Sequence, residues 1–443
     1  MSKQKNPLKQ QLRQKIKNKI ATLGVIGLGY VGLPLAVEKA KAGYKTIGFD
    51  IQEKKVLWVN EGHNYINDIK DSDLEEVVKK GKLRATSDYS FIKHTDVVCI
   101  CVPTPLDIHQ QPDLSFIKNS IENIAEYFHR GMLIILESTT YPGTTEELVK
   151  PIFEKESGFK CGQDFFLAFS PERIDPGNPW YNVRNTLKIV GGITQDCTEV
   201  AVYFYKHILK SRIYSVSSSK VAEMGKIYEN TFRYINIALA NEMAILCHKM
   251  GIDFWEVIEA AKTKPYGFMP FYPGPGVGGH CIPLDPFYLT WKARECNHHT
   301  RLIELAGEIN QSMPEYIVER VSQILSRKFG KSINGAKILL LGVAYKKDVA
   351  DLRESPSLKI IKILENEHAI ISYYDPYISE FINNCKEYRS LKEITSEGIK
   401  EEDIVIIMTG HSIINYEMIV KNAKAIFDTR NAIKFNNEKI EKL

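Results

Sequence analysis

Short apolar runs alternate with helical patterns in the first half of the chain. The run at residues 21–26 predicts a buried strand, and an alanine-rich helical pattern follows it as far as Ala42. The next strand is predicted at residues 45–49, and two further short apolar runs, bounded by Pro, Gly and Thr, occupy residues 97–102 and 133–137. Strands that alternate with helices are typical of a doubly wound parallel α/β sheet, so we expect a Rossmann-type domain over residues 21–215.

The second half begins with a different pattern. Residues 220–250 are apolar at helical spacing and lack proline, which predicts one long helix that stops at Gly251. A mid-chain helix of this length indicates an interdomain spine or a dimer interface, and we assign residues 216–315 to a central helical region. Strands predicted at 337–341, 369–374, 403–408 and 425–427 indicate a second Rossmann-type domain, residues 316–443, without a glycine fingerprint.

Residues 1–20 form a basic tail. They hold seven basic side chains and no acidic one, and apolar residues recur at helical spacing at Leu8, Leu12, Ile16 and Ile20. We interpret the tail as a solvated leader helix that rests on the first domain; the alternative is a helix that binds a membrane surface or a partner. The net charge of +4 comes from this tail. The rest of the chain has 51 basic and 54 acidic side chains, a small negative excess, so it is not expected to bind nucleic acid.

Composition narrows the class further. The sequence has neither a signal peptide nor an apolar run of about 18 residues, so we expect a cytoplasmic protein without a membrane span. Its eight cysteines are irregularly spaced, which favours reduced thiols, and the alternating Cys99 and Cys101 are expected on one side of a buried strand. Cys296 with His298 and His299 fits no common zinc spacing, so no metal is expected.

A glycine motif, Gly27-Leu28-Gly29-Tyr30-Val31-Gly32, follows the first predicted strand and opens the first predicted helix. Its glycines suit a tight turn, close approach to a pyrophosphate, and tight packing of helix on strand. Asp50, at the end of the second strand, would accept a hydrogen bond from the ribose 2′-hydroxyl and repel a 2′-phosphate. The motif therefore predicts NAD rather than NADP, bound by Gly27, Gly29, Tyr30, Val31, Gly32, Asp50 and Lys55.

A second motif ends in a cysteine. Four glycines between positions 274 and 279 make a loop that can approach a ligand, and Cys281 follows, four residues before Asp285. This arrangement is typical of a nucleophile with an electrostatic partner, although a buried cysteine beside a structural loop fits the residue types equally well. His280 is adjacent in sequence and need not face Cys281, so we do not assign it as the base.

The predicted long helix carries a lysine and an amide one turn apart. Lys226 and Asn230 are spaced i and i+4, which places them on one helical face. Such a pair can stabilise an oxyanion or hold a water, although the same spacing is common on solvated helix faces.

Taken together, these motifs resemble the UDP-glucose/GDP-mannose dehydrogenase family over nearly all of residues 20–435. The matching segments, in chain order, are 27–32, 102–105, 137–139, 170–172, 222–230, 278–285, 345–348, 351–355 and 427–430. The resemblance implies an NAD domain, a central dimerisation region and a C-terminal domain that receives a UDP-sugar. It also implies a homodimer and two successive hydride transfers to two NAD molecules per catalytic cycle, with a covalent step between them.

The resemblance also implies the role of each site residue. Cys281 would add to an aldehyde to give a thiohemiacetal, and its oxidation would give a thioester that water hydrolyses. Lys226 and Asn230 would stabilise the oxyanion, Asp285 would pair with Lys226, and Thr139 and Glu172 would hold water and protons. The contacts implied with NAD are those of Thr104, Thr139 and Arg353, and those implied with the nucleotide sugar are Glu172, Lys226, Asn230, Phe271, Tyr272, Gly276, Lys346 and Arg430.

One departure concerns the hydrolytic base. UDP-glucose members have a second glutamate where this chain has Pro176, preceded by Asp175, which leaves Glu172 or a water held by Lys226 and Asp285 as the base. Segments 170–177 and 273–281 are most similar to the branch that oxidises UDP-N-acetylhexosamines. Segments 270–272 and 286–289 are most similar to members that oxidise UDP-N-acetylglucosamine at carbon 6 for surface polysaccharides.

Three alternatives remain open. A UDP-N-acetylmannosamine or UDP-glucose dehydrogenase would use the same mechanism. A two-electron hydroxyacid dehydrogenase would release one NADH per substrate and would not need Cys281. A non-catalytic NAD-binding protein would produce no NADH at all.

Overall fold

The computed structural model describes residues 6–66, 69–107, 110–174, 178 and 180–443. The chain divides into two compact units, each made of two segments. Unit 1 consists of residues 1–229 and 287–297, and unit 2 consists of residues 230–286 and 298–443.

Unit 1 is built on an eight-stranded sheet. Its strands are β1 (Thr22–Ile26), β2 (Lys45–Phe49), β3 (Leu83–Thr86), β4 (Val97–Ile100), β5 (Leu133–Leu136), β6 (Phe166–Phe169), β7 (Lys188–Gly192) and β8 (Ile213–Ser215). The order is β3-β2-β1-β4-β5-β6-β7-β8, and neighbouring strands run parallel except for β6 and β7. The doubly wound α/β sheet is confirmed. The antiparallel pair was not expected, and it arises where the described residues of the connection form no crossover helix.

Helices cover both faces of this sheet. They are α1 (Pro7–Lys17), α2 (Gly32–Lys41), α3 (Glu53–Glu61), α4 (Asp71–Lys79), α5 (Ser115–Ala125), α6 (Lys150–Ser157) and α7 (Gln195–Ile208), with a 3-10 turn at Tyr89–His94 and a π turn at Thr145–Val149. Helices α1, α2 and α7 pack on one face, and α5 and α6 pack on the other. Cys99 and Cys101 belong to the same buried cluster, as their alternation predicts.

The predicted leader helix rests on this unit as α1. Leu12 and Ile16 are buried in the core beneath it, and the Lys9 ammonium lies 2.7 Å from a carboxylate oxygen of Asp196 on α7. Ile20 lies beyond the end of the helix and is 66% exposed, so the apolar periodicity extends one turn further than the helix itself.

Unit 2 combines long helices with a second sheet. Its helices are α8 (Ser219–Met250) and α10 (Asp285–Glu295), both shared with unit 1, then α9 (Phe254–Ala261), α11 (Arg301–Phe329), α12 (Pro356–Asn366), α13 (Ser396–Glu401) and α14 (Tyr416–Asn422). Helix α8 begins one residue before the expected start. No helix in the described parts of the chain has the length and apolarity needed to cross a bilayer.

The second sheet contains five parallel strands, as expected for a Rossmann-type domain. They are β9 (Lys337–Leu341), β10 (Ile370–Tyr374), β13 (Ile404–Ile407), β14 (Ile426–Asp428) and β15 (Ile440–Lys442), in the order β10-β9-β13-β14-β15. A separate hairpin pairs β11 (Glu380–Asn383) with β12 (Lys386–Arg389). Helix α11 ends at Gly330, whose φ of +63° suits a residue without a Cβ.

Candidate active site

Each glycine of the loop between β1 and α2 has a different steric environment. Gly27 has a φ of +86°, and a Cβ there would lie 2.8 Å from the Cys101 carbonyl oxygen. A Cβ on Gly32 would lie 1.8 Å from the Gly27 carbonyl oxygen, so only glycine allows this approach of helix to loop. A Cβ on Gly29 would meet no atom within 4 Å. The loop therefore fits a pyrophosphate, which needs exposed backbone at a helix N-terminus.

Asp50 lies at the end of β2 and shapes the same loop. One of its carboxylate oxygens accepts a hydrogen bond from the Leu28 amide at 2.8 Å, and the other accepts one from the Gln52 amide at 2.9 Å. The Lys55 ammonium on α3 lies 3.8 Å from the first oxygen. The fold thus brings the glycine loop, the Asp50 carboxylate and the Lys55 ammonium together at the carboxyl ends of β1 and β2. At the start of α2, Tyr30 is 46% exposed and Val31 is half-buried.

Tyr65 also contacts this loop, although it was not predicted from the sequence. Its hydroxyl donates to the Leu28 carbonyl oxygen at 2.7 Å. Burial, reinforced by the charge of Asp50, raises the pKa of Tyr65 well above its usual value, so it stays a donor. No local motif marks a residue that is 37 positions away from its partner.

Three more predicted residues follow neighbouring strands of the sheet. Thr104 comes after β4, Thr139 after β5 and Glu172 after β6. Because β4, β5 and β6 are adjacent and parallel, their carboxyl ends share one edge of the sheet with the glycine loop. Ligands of open α/β sheets bind at this edge. The Tyr288 hydroxyl donates to the Thr104 carbonyl oxygen at 2.8 Å and fixes that segment.

A buried network of charges supports Glu172. One of its carboxylate oxygens lies 3.1 Å from the Lys188 ammonium, which also lies 2.6 Å from Glu137. The Tyr205 hydroxyl donates to the other oxygen of Glu137 at 2.8 Å, and the Lys39 ammonium lies 3.7 Å from that oxygen. Lys39, Glu137 and Lys188 are all less than 5% exposed. No local sequence pattern indicates these partners.

The charges in this network set the protonation of Glu137. Burial alone would raise its pKa, but Lys188 and Lys39 outweigh burial and hold the pKa of Glu137 at about 2. Burial likewise opposes the charged form of Lys188, yet Glu137 and Glu172 raise the pKa of that lysine above its usual value. The network is therefore ionic at neutral pH.

Glu223, on the first turns of α8, holds the segment that follows Thr139. Its carboxylate accepts hydrogen bonds from the Gly143 amide at 2.6 Å and from the Thr145 amide at 2.9 Å. The Thr145 hydroxyl donates to it at 2.6 Å. A fully buried carboxylate of this kind fixes the backbone to which the half-buried Thr139 belongs.

In unit 2, a chain of amides anchors the glycine-rich loop. The Gly274 amide donates to Asn241 on α8 at 2.9 Å, and the Asn241 side chain donates to Asn310 on α11 at 2.9 Å. Asn310 in turn donates to the Tyr234 carbonyl oxygen at 3.2 Å. Asn241 and Asn310 are both buried, so each side-chain hydrogen bond is protected from water.

The loop requires glycine where it meets the C-terminal sheet. A Cβ on Gly274 would lie 2.5 Å from the Arg430 guanidinium, and Gly276 has a φ of +134° against Pro356. The Gly279 amide donates to the Arg353 carbonyl oxygen at 3.0 Å. The structure thus brings the loop together with two of the predicted ligand contacts, Arg353 and Arg430.

Two predicted aromatic residues precede these glycines. Phe271 is half-buried with its ring 5.6 Å from that of Phe232, and Tyr272 is 44% exposed with its ring stacked 5.9 Å from Trp255. Both rings are therefore held by neighbours within unit 2.

Cys281 is exposed at the end of the loop. Its carbonyl oxygen accepts hydrogen bonds from the Leu284 and Asp285 amides at 3.2 and 2.8 Å, which makes the turn into α10. The Asp285 carboxylate is 4% exposed and accepts a hydrogen bond from the Asn230 side-chain amide at 2.5 Å. Lys226 is 8% exposed and lies one turn before Asn230 on α8, which passes from unit 1 to unit 2 between them.

The other predicted residues of unit 2 lie at the edge of its sheet. Lys346 is half-exposed in the turn after β9, which Asp375 holds by accepting from the Val343 and Ala344 amides. Arg430 follows β14, and its Nε donates to the Met408 carbonyl oxygen at 2.9 Å. Burial lowers the pKa of Arg430 to about 10, so its charge persists at neutral pH.

Two further residues bear on the base. Burial, reinforced by the charge of Arg353, lowers the pKa of His280, so this imidazole is neutral at physiological pH. Asp175 and Pro176, where the chain departs from the UDP-glucose pattern, lie outside the described residues.

The described residues include no group of three or more His, Cys, Asp or Glu that could hold a metal ion.

Three family models match the chain in succession. The NAD-binding domain of the UDP-glucose/GDP-mannose dehydrogenase family matches residues 21–209, the central domain matches residues 220–312, and the UDP-binding domain matches residues 339–435.

Relatives of known activity cover most of the chain. It is 39% identical to a UDP-N-acetyl-D-glucosamine 6-dehydrogenase of Pseudomonas aeruginosa over 81% of this chain and 83% of that protein. It is 37% identical to a UDP-N-acetyl-D-mannosamine dehydrogenase of Pyrococcus horikoshii over 93% of this chain and 96% of that protein. The solved structure of the UDP-D-ManNAc dehydrogenase from Pyrococcus horikoshii matches with a TM-score of 0.86 and 36% identity, over 95% of this chain and 98% of that one.

Proposed function

Because the chain belongs to the UDP-glucose/GDP-mannose dehydrogenase family of NAD-dependent nucleotide-sugar dehydrogenases, we propose that it oxidises carbon 6 of UDP-N-acetylglucosamine to a carboxylate. We further propose that Cys281 holds the intermediate. The observation that carries this chemistry is an exposed thiol at the end of a braced glycine-rich loop, in the unit that also contains the Asn230–Asp285 hydrogen bond.

The thiol accounts for oxidation beyond the aldehyde. NAD, when bound at the loop of Gly27, Gly29 and Gly32, supplies the hydride acceptor for both oxidations. Cys281 adds to the aldehyde carbon and gives a thiohemiacetal, whose oxidation leaves a thioester. Water then releases the carboxylate and regenerates the thiol. An alcohol dehydrogenase that stops at the aldehyde needs only a base, so a nucleophile at this position favours the four-electron reaction.

Charge develops on the sugar oxygen when Cys281 adds, and α8 carries the groups that would stabilise it. We assign this role to Lys226 and Asn230, because donors fixed on a helix need little reorganisation. Asp285 fixes the Asn230 amide by accepting its hydrogen bond, and its pairing with Lys226 stays a prediction.

Hydrolysis of the thioester needs a group that orients water. We assign this role to Glu172, with Thr139 beside it on the same sheet edge. Glu172 accepts from the Arg173 and Ile174 amides at 2.7 and 3.0 Å and from Lys188, which favours a well-positioned carboxylate. A water held by Lys226 and Asp285 remains the alternative.

Binding of the nucleotide sugar is assigned to the glycine-rich loop and the C-terminal sheet. Lys346 and Arg430 supply positive charge for the diphosphate, and both lie at the carboxyl ends of parallel strands. Gly276 provides backbone without a side chain, and Phe271 and Tyr272 line the same segment.

The remaining assignments concern the dimer and the domains. We propose that residues 216–315 form the dimerisation region of a homodimer, because Leu239 and Leu246 on α8 are 54% and 45% exposed and offer apolar surface to a second copy. Residues 21–215 and 316–443 are proposed as the NAD and UDP-sugar domains.

The second candidate substrate is UDP-N-acetylmannosamine. The similarity to the Pyrococcus horikoshii dehydrogenase favours it, whereas the 39% identity to the Pseudomonas aeruginosa enzyme and the segments 270–272 and 286–289 favour UDP-N-acetylglucosamine. The two sugars differ only in configuration at carbon 2, which is remote from the oxidised carbon.

A panel of UDP-sugars tests the substrate. We expect the highest kcat/KM with UDP-N-acetylglucosamine and two NADH released per sugar, measured by absorbance at substrate exhaustion and by mass spectrometry of the acid. UDP-N-acetylmannosamine and UDP-glucose serve as matched substrates. A preference for UDP-glucose would overturn the sugar assignment, and one NADH per sugar would overturn the four-electron reaction.

The NAD preference can be tested at Asp50. Replacing it with asparagine is expected to raise KM for NAD about 10-fold and to reduce the preference for NAD over NADP, because an amide neither binds the ribose as strongly nor repels a phosphate. Initial rates with both dinucleotides measure the effect. Glu53→Gln, which changes a neighbouring carboxylate, is the control and should leave both values unchanged.

A further inference from the structure

A pair of cysteines lies in unit 1, and the proposed reaction uses neither. Cys161 belongs to the segment that precedes β6, and Cys197 lies in the first turn of α7. Their sulfur atoms are 4.0 Å apart. Cys197 is completely buried, whereas Cys161 is partly exposed. The pair therefore combines a partly exposed cysteine with a completely buried one whose sulfur lies 4.0 Å away.

The surroundings of Cys197 stabilise a thiolate. Its sulfur accepts a hydrogen bond from the Leu167 amide at 3.3 Å and one from the Thr194 hydroxyl at 3.2 Å. Thr194 also caps α7, so the sulfur lies at the positive end of the helix dipole. The hydrogen bond with the Cys161 thiol is the largest of the effects that lower the pKa of Cys197 against burial, and the same hydrogen bond, with burial, raises the pKa of Cys161.

Two other buried cysteines of the same unit, Cys99 and Cys101, have pKa values shifted in the opposite direction. Burial raises the pKa of Cys99 to about 12, and it also raises the pKa of Cys101. These two thiols are therefore inert core residues, in contrast to Cys197.

We propose that Cys161 and Cys197 form a thiol–disulfide exchange site, oxidised by low-molecular-weight disulfides and reopened by low-molecular-weight thiols. Closure requires the sulfurs to approach from 4.0 Å to the length of a disulfide bond, about 2 Å. The closed form would tie the segment before β6 to α7.

The exchange balances in two steps. As Cys161 attacks a small disulfide, its proton passes to the Cys197 thiolate; the sulfur–sulfur bond of the small disulfide breaks, and the thiolate that leaves takes up that proton. The Cys197 thiolate then attacks the Cys161 sulfur and expels the second small thiolate, which is protonated by the solvent. Two protein thiols are oxidised, and one small disulfide is reduced to two thiols.

Thiol counting in a suitable variant tests this proposal. In a chain with Cys281→Ser, Cys296→Ser and Cys385→Ser, the three exposed thiols are absent and five cysteines remain. After equilibration of the folded protein with excess glutathione disulfide, we expect titration in denaturant to find three thiols instead of five. Peptide mapping should show Cys161 linked to Cys197, and dithiothreitol should restore five thiols.

Adding Cys161→Ser provides the matched control and should leave all four remaining thiols intact, because Cys197 is buried. Five thiols after prolonged oxidation would overturn the proposal. A glutathione adduct that persists on Cys161 would also overturn it, because Cys197 would then have failed to reach its partner. Circular dichroism recorded before and after treatment verifies that the chain stays folded. The result is independent of the proposed dehydrogenase activity, since this variant lacks Cys281.

Discussion

Replacing Cys281 with serine is expected to lower the rate of acid formation by at least ~10³-fold. A serine hydroxyl is a far weaker nucleophile than a thiolate, so the covalent intermediate does not accumulate and the second oxidation has no thiohemiacetal to act on. Loss of the acid and of the second NADH, followed with UDP-N-acetylglucosamine, measures the effect.

The matched control is Cys296→Ser, which removes another exposed thiol outside the glycine-rich loop. It should retain the rate of the unmodified enzyme. Binding of the UDP-sugar should also persist in Cys281→Ser, because Lys346 and Arg430 are unchanged. Undiminished conversion of alcohol to acid by the serine variant would contradict the covalent mechanism and favour oxidation through a free hydrate.

Replacing Lys188 with methionine is expected to destabilise the protein by about 3–5 kcal/mol, because the change leaves the buried Glu137 carboxylate with Lys39 at 3.7 Å as its remaining cation. Glu172 loses a hydrogen bond at the same time, so kcat should also fall. Urea unfolding followed by circular dichroism gives the free energy of unfolding. Lys188→Arg keeps the charge and should recover most of the stability, whereas a loss of less than about 1 kcal/mol in the methionine variant would contradict the assigned importance of the network.

The same network predicts a pH dependence of stability. The pKa of Glu137 falls from its usual 4.5 to about 2 on folding. This carboxylate therefore stabilises the folded chain above pH 4.5, and that contribution disappears as the pH falls from 4.5 towards 2. In Lys188→Met the pKa of Glu137 in the folded chain lies closer to its unfolded value, so the loss of stability between pH 4.5 and 2 should be smaller, which thermal unfolding across this range would detect.

Features with local signals were predictable from the sequence. The glycine loop and Asp50 depend on a strand, a turn and a helix that are contiguous in the chain, and each glycine has the steric need that the motif predicts, with Gly29 open. The predicted bounds of helix α8 are correct to within one residue, because the apolar spacing and the stop signal at Gly251 are both local features of the sequence.

Contacts between distant segments were not predictable in this way. Lys188 meets Glu137 across 51 positions, and Asn241 meets Asn310 across 69. A lysine or an asparagine in isolation is usually exposed, so neither residue type indicates burial until its partner is known. The antiparallel β6–β7 pair was missed for a related reason, because strand direction depends on the path of the connection.

The roles of Lys346 and Arg430 have another origin. No periodicity or spacing marks them, and their assignment came from the resemblance to a family. The structure places each at the carboxyl end of a parallel strand, where the architecture alone would have led a search for ligand contacts.

The amide chain from Gly274 through Asn241 to Asn310 has a consequence for hydrogen–deuterium exchange. A glycine-rich segment would by composition exchange its backbone hydrogens quickly. The Gly274 hydrogen is instead donated to a buried side chain of α8, which is itself bonded to α11. Its protection should therefore be higher than that of a solvated loop amide, and its exchange rate reports how firmly the two helices hold the segment that leads to Cys281.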